Sequence, residues 1–152
     1  MAAMGKGQRE RLGGLGRGVV GETGGEAKTG FDAVDRIGVT VGPGSFTGLR
    51  VGLAFALGLG AALDRPVLGL STLEALAASV ADAAGPVAAL IDARRGQVYA
   101  RLFDDGVPLG PDSALTLEDA ARAIQALGRP ARWVGNGASV LAEAFPELAR
   151  LD

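Results

Sequence analysis

Apolar and polar positions alternate from Arg36 to Gly42, where Ile37, Val39 and Val41 are all β-branched. A period of two predicts a β-strand with one buried face. Gly42-Pro43-Gly44-Ser45-Phe46-Thr47-Gly48 reads as a tight loop. The apolar run behind it predicts a helix from Thr47 to Leu63, stopping at Asp64-Arg65-Pro66, because the residue before a proline is pushed out of helical backbone. Val67 to Leu70 is expected to form a short buried strand. Ser71-Thr72-Leu73-Glu74 has the capping-box spacing, with a hydroxyl at the N-cap and a carboxylate three residues on. The helix it opens is expected to reach Ala83.

The pattern changes at Gly85-Pro86. Val87 to Asp92 and Gln97 to Phe103 alternate around Ala93-Arg94-Arg95-Gly96 and predict an antiparallel hairpin. Thr116 to Leu127 predicts a helix with Asp119 at its N3 position, closed by Gly128-Arg129-Pro130. Ala131 to Val134 reads as a strand, Gly135-Asn136-Gly137 as a turn, and Ala138 to Phe145 as a last helix. The chain therefore divides, by pattern, into a β-α-β-α lobe over residues 31–84 and a hairpin-led lobe over 85–152. Residues 1–30 hold ten of the 25 glycines. Each glycine inside a helix costs about 1 kcal/mol against alanine, so this segment is expected to be a weak helix or mobile.

The predicted helix behind the loop has an unusual surface. No charge follows Arg50 up to Leu63, and Gly52, Ala56 and Gly60 recur at i, i+4 and i+8. A helix that is apolar all round is buried on more than one side. In a chain of 152 residues little protein is left to cover two sides. A close contact with a partner helix is therefore expected along Leu49, Gly52, Leu53, Ala56 and Gly60, in preference to the alternative of a helix buried wholly within its own domain.

Composition narrows the chemistry. The chain has no His and no Cys. This removes imidazole bases, thiolate nucleophiles, disulfides and the usual zinc ligands. A formal charge of −2 gives no global footprint for nucleic acid or anionic lipid. The first residues lack the apolar core of a signal peptide. The uncharged run Val51 to Leu63 is shorter than the roughly 20 residues of a membrane span. A soluble, cytoplasmic protein is expected, with no metal, no cofactor and no membrane partner.

The glycine loop lends itself to two readings. Ser45 or Thr47 can cap the following helix, with Gly42, Pro43, Gly44 and Gly48 shaping the turn. Alternatively, Gly44, Ser45 and Thr47 can hold an anion or nucleotide at the helix N-terminus, as in an enzyme. The spacing fits neither nucleotide fingerprint. Gly48 is followed by Leu49 where a Walker loop needs Lys, and three residues separate Gly44 from Gly48 where a dinucleotide loop has two.

Four segments together are specific. V-G-P-G-S-F-T-G-L-R-V-G-L, P-V-L-G-L-S-T-L-E-A-L-A, A-L-I-D-A-R-R-G-Q-V-Y-A and V-G-N-G-A closely resemble the TsaB (YeaZ) family, in order, from Phe31 to Ala138. The family is required to make threonylcarbamoyladenosine beside the anticodon of tRNA. The resemblance implies an α/β, actin-like (ribonuclease-H-like) fold of two lobes. It also implies a non-catalytic subunit that pairs with a catalytic TsaD-like relative, joined by a TsaE-like ATPase, and meets tRNA through that complex. A second copy of the chain is a further partner of the same class. In the family the helix after the GPGSFTG loop is part of the pairing surface. Arg94 and Arg95 match the family's D-A-R-R-G turn. They are either a solvated hairpin tip or a contact to RNA or a partner.

The chain also departs from the family pattern. It has no strand with an Asp-Thr-(Ala/Ser) motif before Phe31, and it stops at Asp152, short of the usual length. The resemblance thus implies an incomplete N-terminal lobe and a truncated homologue, functional or not. Strand Ile37 to Val41 is expected to lack a neighbour on one edge. An unpaired apolar edge is an aggregation hazard, so the chain alone is expected to be marginally stable.

Overall fold

The computed structural model describes Phe31, residues 34–80 and residues 85–148. The expectations for residues 1–30 and for the helix end at Ala83 fall outside these residues. The chain separates into two compact units. The first holds the described residues through Val41 together with Ser45–Leu70, and the second holds Gly42–Gly44 and Ser71 onwards.

The first unit is a strand, a helix and a strand. β1 (Ile37–Gly42) and β2 (Val67–Ser71) pair in a two-stranded sheet, and α1 (Phe46–Leu63) connects them. The Ile37 N–H donates to the Pro66 carbonyl at 2.9 Å, so the two strands begin side by side. Ser45 caps α1 from extended backbone, and its hydroxyl accepts the Gly48 N–H at 3.4 Å. The helix ends where Asp64 takes left-handed backbone at φ 52° and donates its N–H to the Gly60 carbonyl.

Two expectations are corrected here. β2 forms, but it is not buried: Leu68 and Leu70 are each 45% exposed. α1 starts one residue earlier than expected, and at 18 residues it is long and apolar enough to cross a membrane by length and composition. A spanning helix of that length would part its ends by about 27 Å across the bilayer. Here the chain turns at Asp64 and returns to the start of β1, which makes α1 the crossover of a β-α-β unit.

The second unit is a five-stranded sheet covered on both faces. β3 (Pro86–Arg94) and β4 (Gln97–Asp104) form the hairpin. β5 (Val107–Pro108) and β6 (Ser113–Thr116) both pair antiparallel with β4, and β7 (Arg132–Val134) pairs parallel with β3. α2 (Thr72–Ala78) lies on one face, while α3 (Leu117–Gln125) and α4 (Gly137–Ala144) lie on the other.

Side chains alternate across β3 as the pleat requires. Val87 and Ala89 meet Leu73 and Ala77 of α2, while Ala88 and Leu90 meet Ala120, Ile124 and Leu141. Residues Pro86 to Leu90 are consequently all buried. Because Leu73 and Ala77 pack on this sheet, the compact units divide between Leu70 and Ser71 rather than near Gly85. α2 stops at Ala78 with Ser79 as its C-cap.

Ser71 caps α2 as its hydroxyl accepts from the Leu73 and Glu74 N–H groups. The Glu74 carboxylate, however, does not close the capping box. It pairs with Arg101 at 2.8 Å, and the same guanidinium holds Asp112 at 3.1 Å and the Gly110 carbonyl at 2.8 Å. The Ser71 hydroxyl donates to Asp112 at 2.7 Å and completes the network. Thr116 caps α3 and receives the Asp119 N–H at 3.1 Å. β5 and β6 have too few residues to carry a readable alternation.

Leu90 is fully buried at the centre of the larger core cluster. Leu90→Ala is expected to destabilise the second unit by about 2–5 kcal/mol. Urea unfolding should show a lower midpoint with an unchanged slope.

Candidate functional site

The five residues marked for partner contact on α1 do not share one exposed face. Gly52, Ala56 and Gly60 are buried. A Cβ added at Gly60 would lie 2.5 Å from Val67 Cγ2 and 3.0 Å from the Arg65 carbonyl oxygen. At Gly60 the small stripe therefore meets the chain's own Val67 and Ile37, and with Gly52 and Ala56 also buried this corrects the expectation of an exposed stripe facing a partner. Leu49 is half-buried. Leu53 is exposed, at 37%.

The side chains turned away from the strands are the large ones. Val51 is 40% exposed, and Phe55 and Leu57 are each 53% exposed. Arg50 lies over the Phe46 ring at 3.9 Å from its centroid, at the N-terminal end of the helix. The sequence reading missed Val51, Phe55 and Leu57. The signal was present, because a crossover helix must place some face on its strands, and the close approach of backbones needs the face with least side chain.

In the loop, Gly42 takes φ 134°, where only glycine is at ease, and the Gly42–Pro43 peptide bond is cis. Ser45, not Thr47, occupies the N-cap, and its hydroxyl is engaged by the Gly48 N–H. Thr47 is exposed within the first turn of α1.

Arg94 and Arg95 sit at the hairpin tip in the second unit. Both are exposed and both have positive φ, 66° and 54°. The Arg94 N–H donates to Asp92 Oδ1 at 2.7 Å. The Asp92 N–H donates in turn to Asn136 Oδ1 at 3.1 Å, which ties the V-G-N-G turn to the end of β3. That turn requires glycine, since a Cβ at Gly135 would fall 2.1 Å from the Leu90 carbonyl oxygen, and its φ is 101°. An apolar cavity of about 170 Å³ opens between α3 and the sheet, lined by Leu90, Leu102, Leu115 and Ile124 among others. None of the residues singled out in the sequence lines it.

The family model described as TsaD, tRNA N6-adenosine threonylcarbamoyltransferase, matches residues 17–129. The TsaB protein of Bacillus subtilis is 36% identical over 111 residues, covering 70% of this chain and 48% of that protein. The solved structure of YeaZ from Pseudomonas aeruginosa is similar with a TM-score of 0.71 at 31% identity, covering 97% of this chain and 67% of that one. The chain belongs to the TsaB (YeaZ) family. Its fold is α/β and actin-like, as in the YeaZ structures. The TsaB protein of Haemophilus influenzae is 44% identical over 72 residues, which cover 46% of this chain and 30% of that protein. The chain spans about half or less of the length of the curated TsaB relatives it matches.

If the small stripe of this TsaB-family chain faces its own strands, enlarging it harms folding first. Gly60→Ala is expected to destabilise the first unit by about 1–3 kcal/mol. The check is thermal unfolding, in which Leu57→Ser should leave the midpoint nearly unchanged.

Proposed function

We propose that the chain is a non-catalytic scaffold subunit in the synthesis of threonylcarbamoyladenosine in tRNA. It pairs through α1 with a TsaD-like catalytic subunit, and a TsaE-like ATPase joins the pair in the cytoplasm. The observation that carries this reading is the exposure of four large apolar side chains on α1, Val51 and Phe55 on one flank of the buried Gly52/Ala56/Gly60 stripe and Leu53 and Leu57 on the other. Large apolar side chains left exposed in such number on one helix, rather than singly, mark an interaction surface. The names of the relatives supply the biosynthetic context: those from Bacillus subtilis, Haemophilus influenzae and Escherichia coli are called tRNA threonylcarbamoyladenosine biosynthesis protein TsaB. The lack of His and Cys suits a subunit that contributes shape rather than acid-base chemistry.

The nucleotide-enzyme reading of the loop has less support. Its one well-placed hydroxyl, on Ser45, is engaged in capping α1.

Burying a Phe and a Leu side chain contributes about 1.5–3 kcal/mol each. Phe55→Asp/Leu57→Asp is therefore expected to weaken pairing by more than about a hundredfold. Co-expression with the catalytic relative and affinity capture checks this. The variant should be lost from the complex while its own melting temperature stays close to that of the parent chain. Undiminished capture would contradict the assignment of this face.

A further inference from the structure

The tip of the β3–β4 hairpin has a backbone that its residues do not suit. Arg94 pairs with Gln97 across the strands, so Arg95 and Gly96 are the two central residues of the turn. Both have positive φ, at 54° and 73°. A two-residue hairpin turn of that kind selects Asn-Gly or Asp-Gly. Gly96 meets the demand and Arg95 does not. Arg94, immediately before, is also left-handed at φ 66°. Side chains with a Cβ are disfavoured there, least so Asn and Asp. The register also shifts between Asp92 and Arg94, and a bulge of this kind re-aims the side chains that follow it.

The chain itself makes no use of these two guanidinium groups among the described residues. Arg101, Arg122 and Arg129 each hold a carboxylate, while Arg94 and Arg95 hold none. Of the acids near the tip, Asp92 and Asp119 have hydrogen-bond partners, while Glu118, next to Leu117 whose N–H donates to the Gly96 carbonyl at 3.3 Å, pairs with neither guanidinium. Asp92 accepts the Arg94 backbone N–H, and Asp119 accepts from Arg122 and the Thr116 hydroxyl. Strained backbone with no internal return is a mark of functional positions. Two adjacent guanidinium groups are built to hold phosphate or carboxylate oxygens. A protein interface is organised around a desolvated apolar centre. The tip lacks one, since Arg94, Arg95, Gly96 and Gln97 are all exposed. A phosphate chain fits better, because it is held by charge alone and without apolar burial.

We propose that Arg94 and Arg95 hold the phosphate backbone of tRNA when the chain sits in its modification complex. This rests on the function proposed above. The test is binding of an unmodified tRNA transcript to the chain in complex with its catalytic partner, measured over a salt series. Arg94→Gln/Arg95→Gln is expected to weaken binding about tenfold and to lower the slope of log K against log salt by about 1.5, as two lost phosphate contacts require. Arg94→Lys/Arg95→Lys keeps the charge and should keep most of the affinity. Arg95→Asn suits the turn, so it should raise the melting temperature by about 2–4 °C while weakening tRNA binding.

Unchanged affinity and slope in the glutamine variant overturn the proposal. Release of the catalytic partner by that variant does so too, because the tip is then a protein contact. A parent complex that does not bind tRNA also overturns it. If the chain pairs with no catalytic relative, the function proposed above fails, and the same salt series on the chain alone still decides the role of the tip.

Discussion

The first unit depends on how closely α1 can approach β1 and β2. Gly52, Ala56 and Gly60 offer almost no side chain, and at Gly60 even one added carbon would collide with Val67. With that face buried, the large side chains lie on the two flanks beside it. Val51, Leu53, Phe55 and Leu57 are turned outward because the inward positions are small. The same few residues thus account for the packing of Val67 and Ile37 near Gly60 and for the large apolar side chains left exposed on α1. Among the described residues no strand pairs with the second edge of β1.

The second unit is organised around β3, which is buried on both faces. Ala88 and Ala89 at its centre let helices sit close on either side. Parallel pairing with β7 then brings Gly135 against the Leu90 carbonyl. Arg101 joins the start of α2 to the segment before β6 through Glu74, Asp112 and Gly110. Its side chain is only 16% exposed and multiply engaged, so it serves the packing of this unit. Arg94 and Arg95 differ in being exposed, adjacent and unpaired among the described residues.

Much of this was legible in the residues. The alternation of Ile37, Val39 and Val41, the proline after α1, the hydroxyls at Ser45, Ser71 and Thr116, and the paired runs around Arg95-Gly96 all mark element boundaries by local chemistry. What was not legible depends on contacts distant in sequence. Which face of an all-apolar helix turns inward is decided by the strands it must meet. At Gly60 the small stripe meets Val67 and Ile37, a contact that no local pattern reveals. Glu74 has the spacing of a capping box, yet a guanidinium from β4 outcompetes the local N–H. β5 and β6 are short, and their strand character comes from pairing with β4 rather than from any pattern of their own. The family motifs were the strongest functional signal, and they place the chain in the TsaB (YeaZ) family.

That role is most directly tested by reconstitution. The catalytic relative, the ATPase, tRNA and threonylcarbamoyl adenylate are combined with and without this chain, and threonylcarbamoyladenosine is measured by mass spectrometry. The account predicts product only when the chain and the catalytic relative are both present, and none from the chain alone. Equal product without the chain, or product from the chain alone, would contradict it.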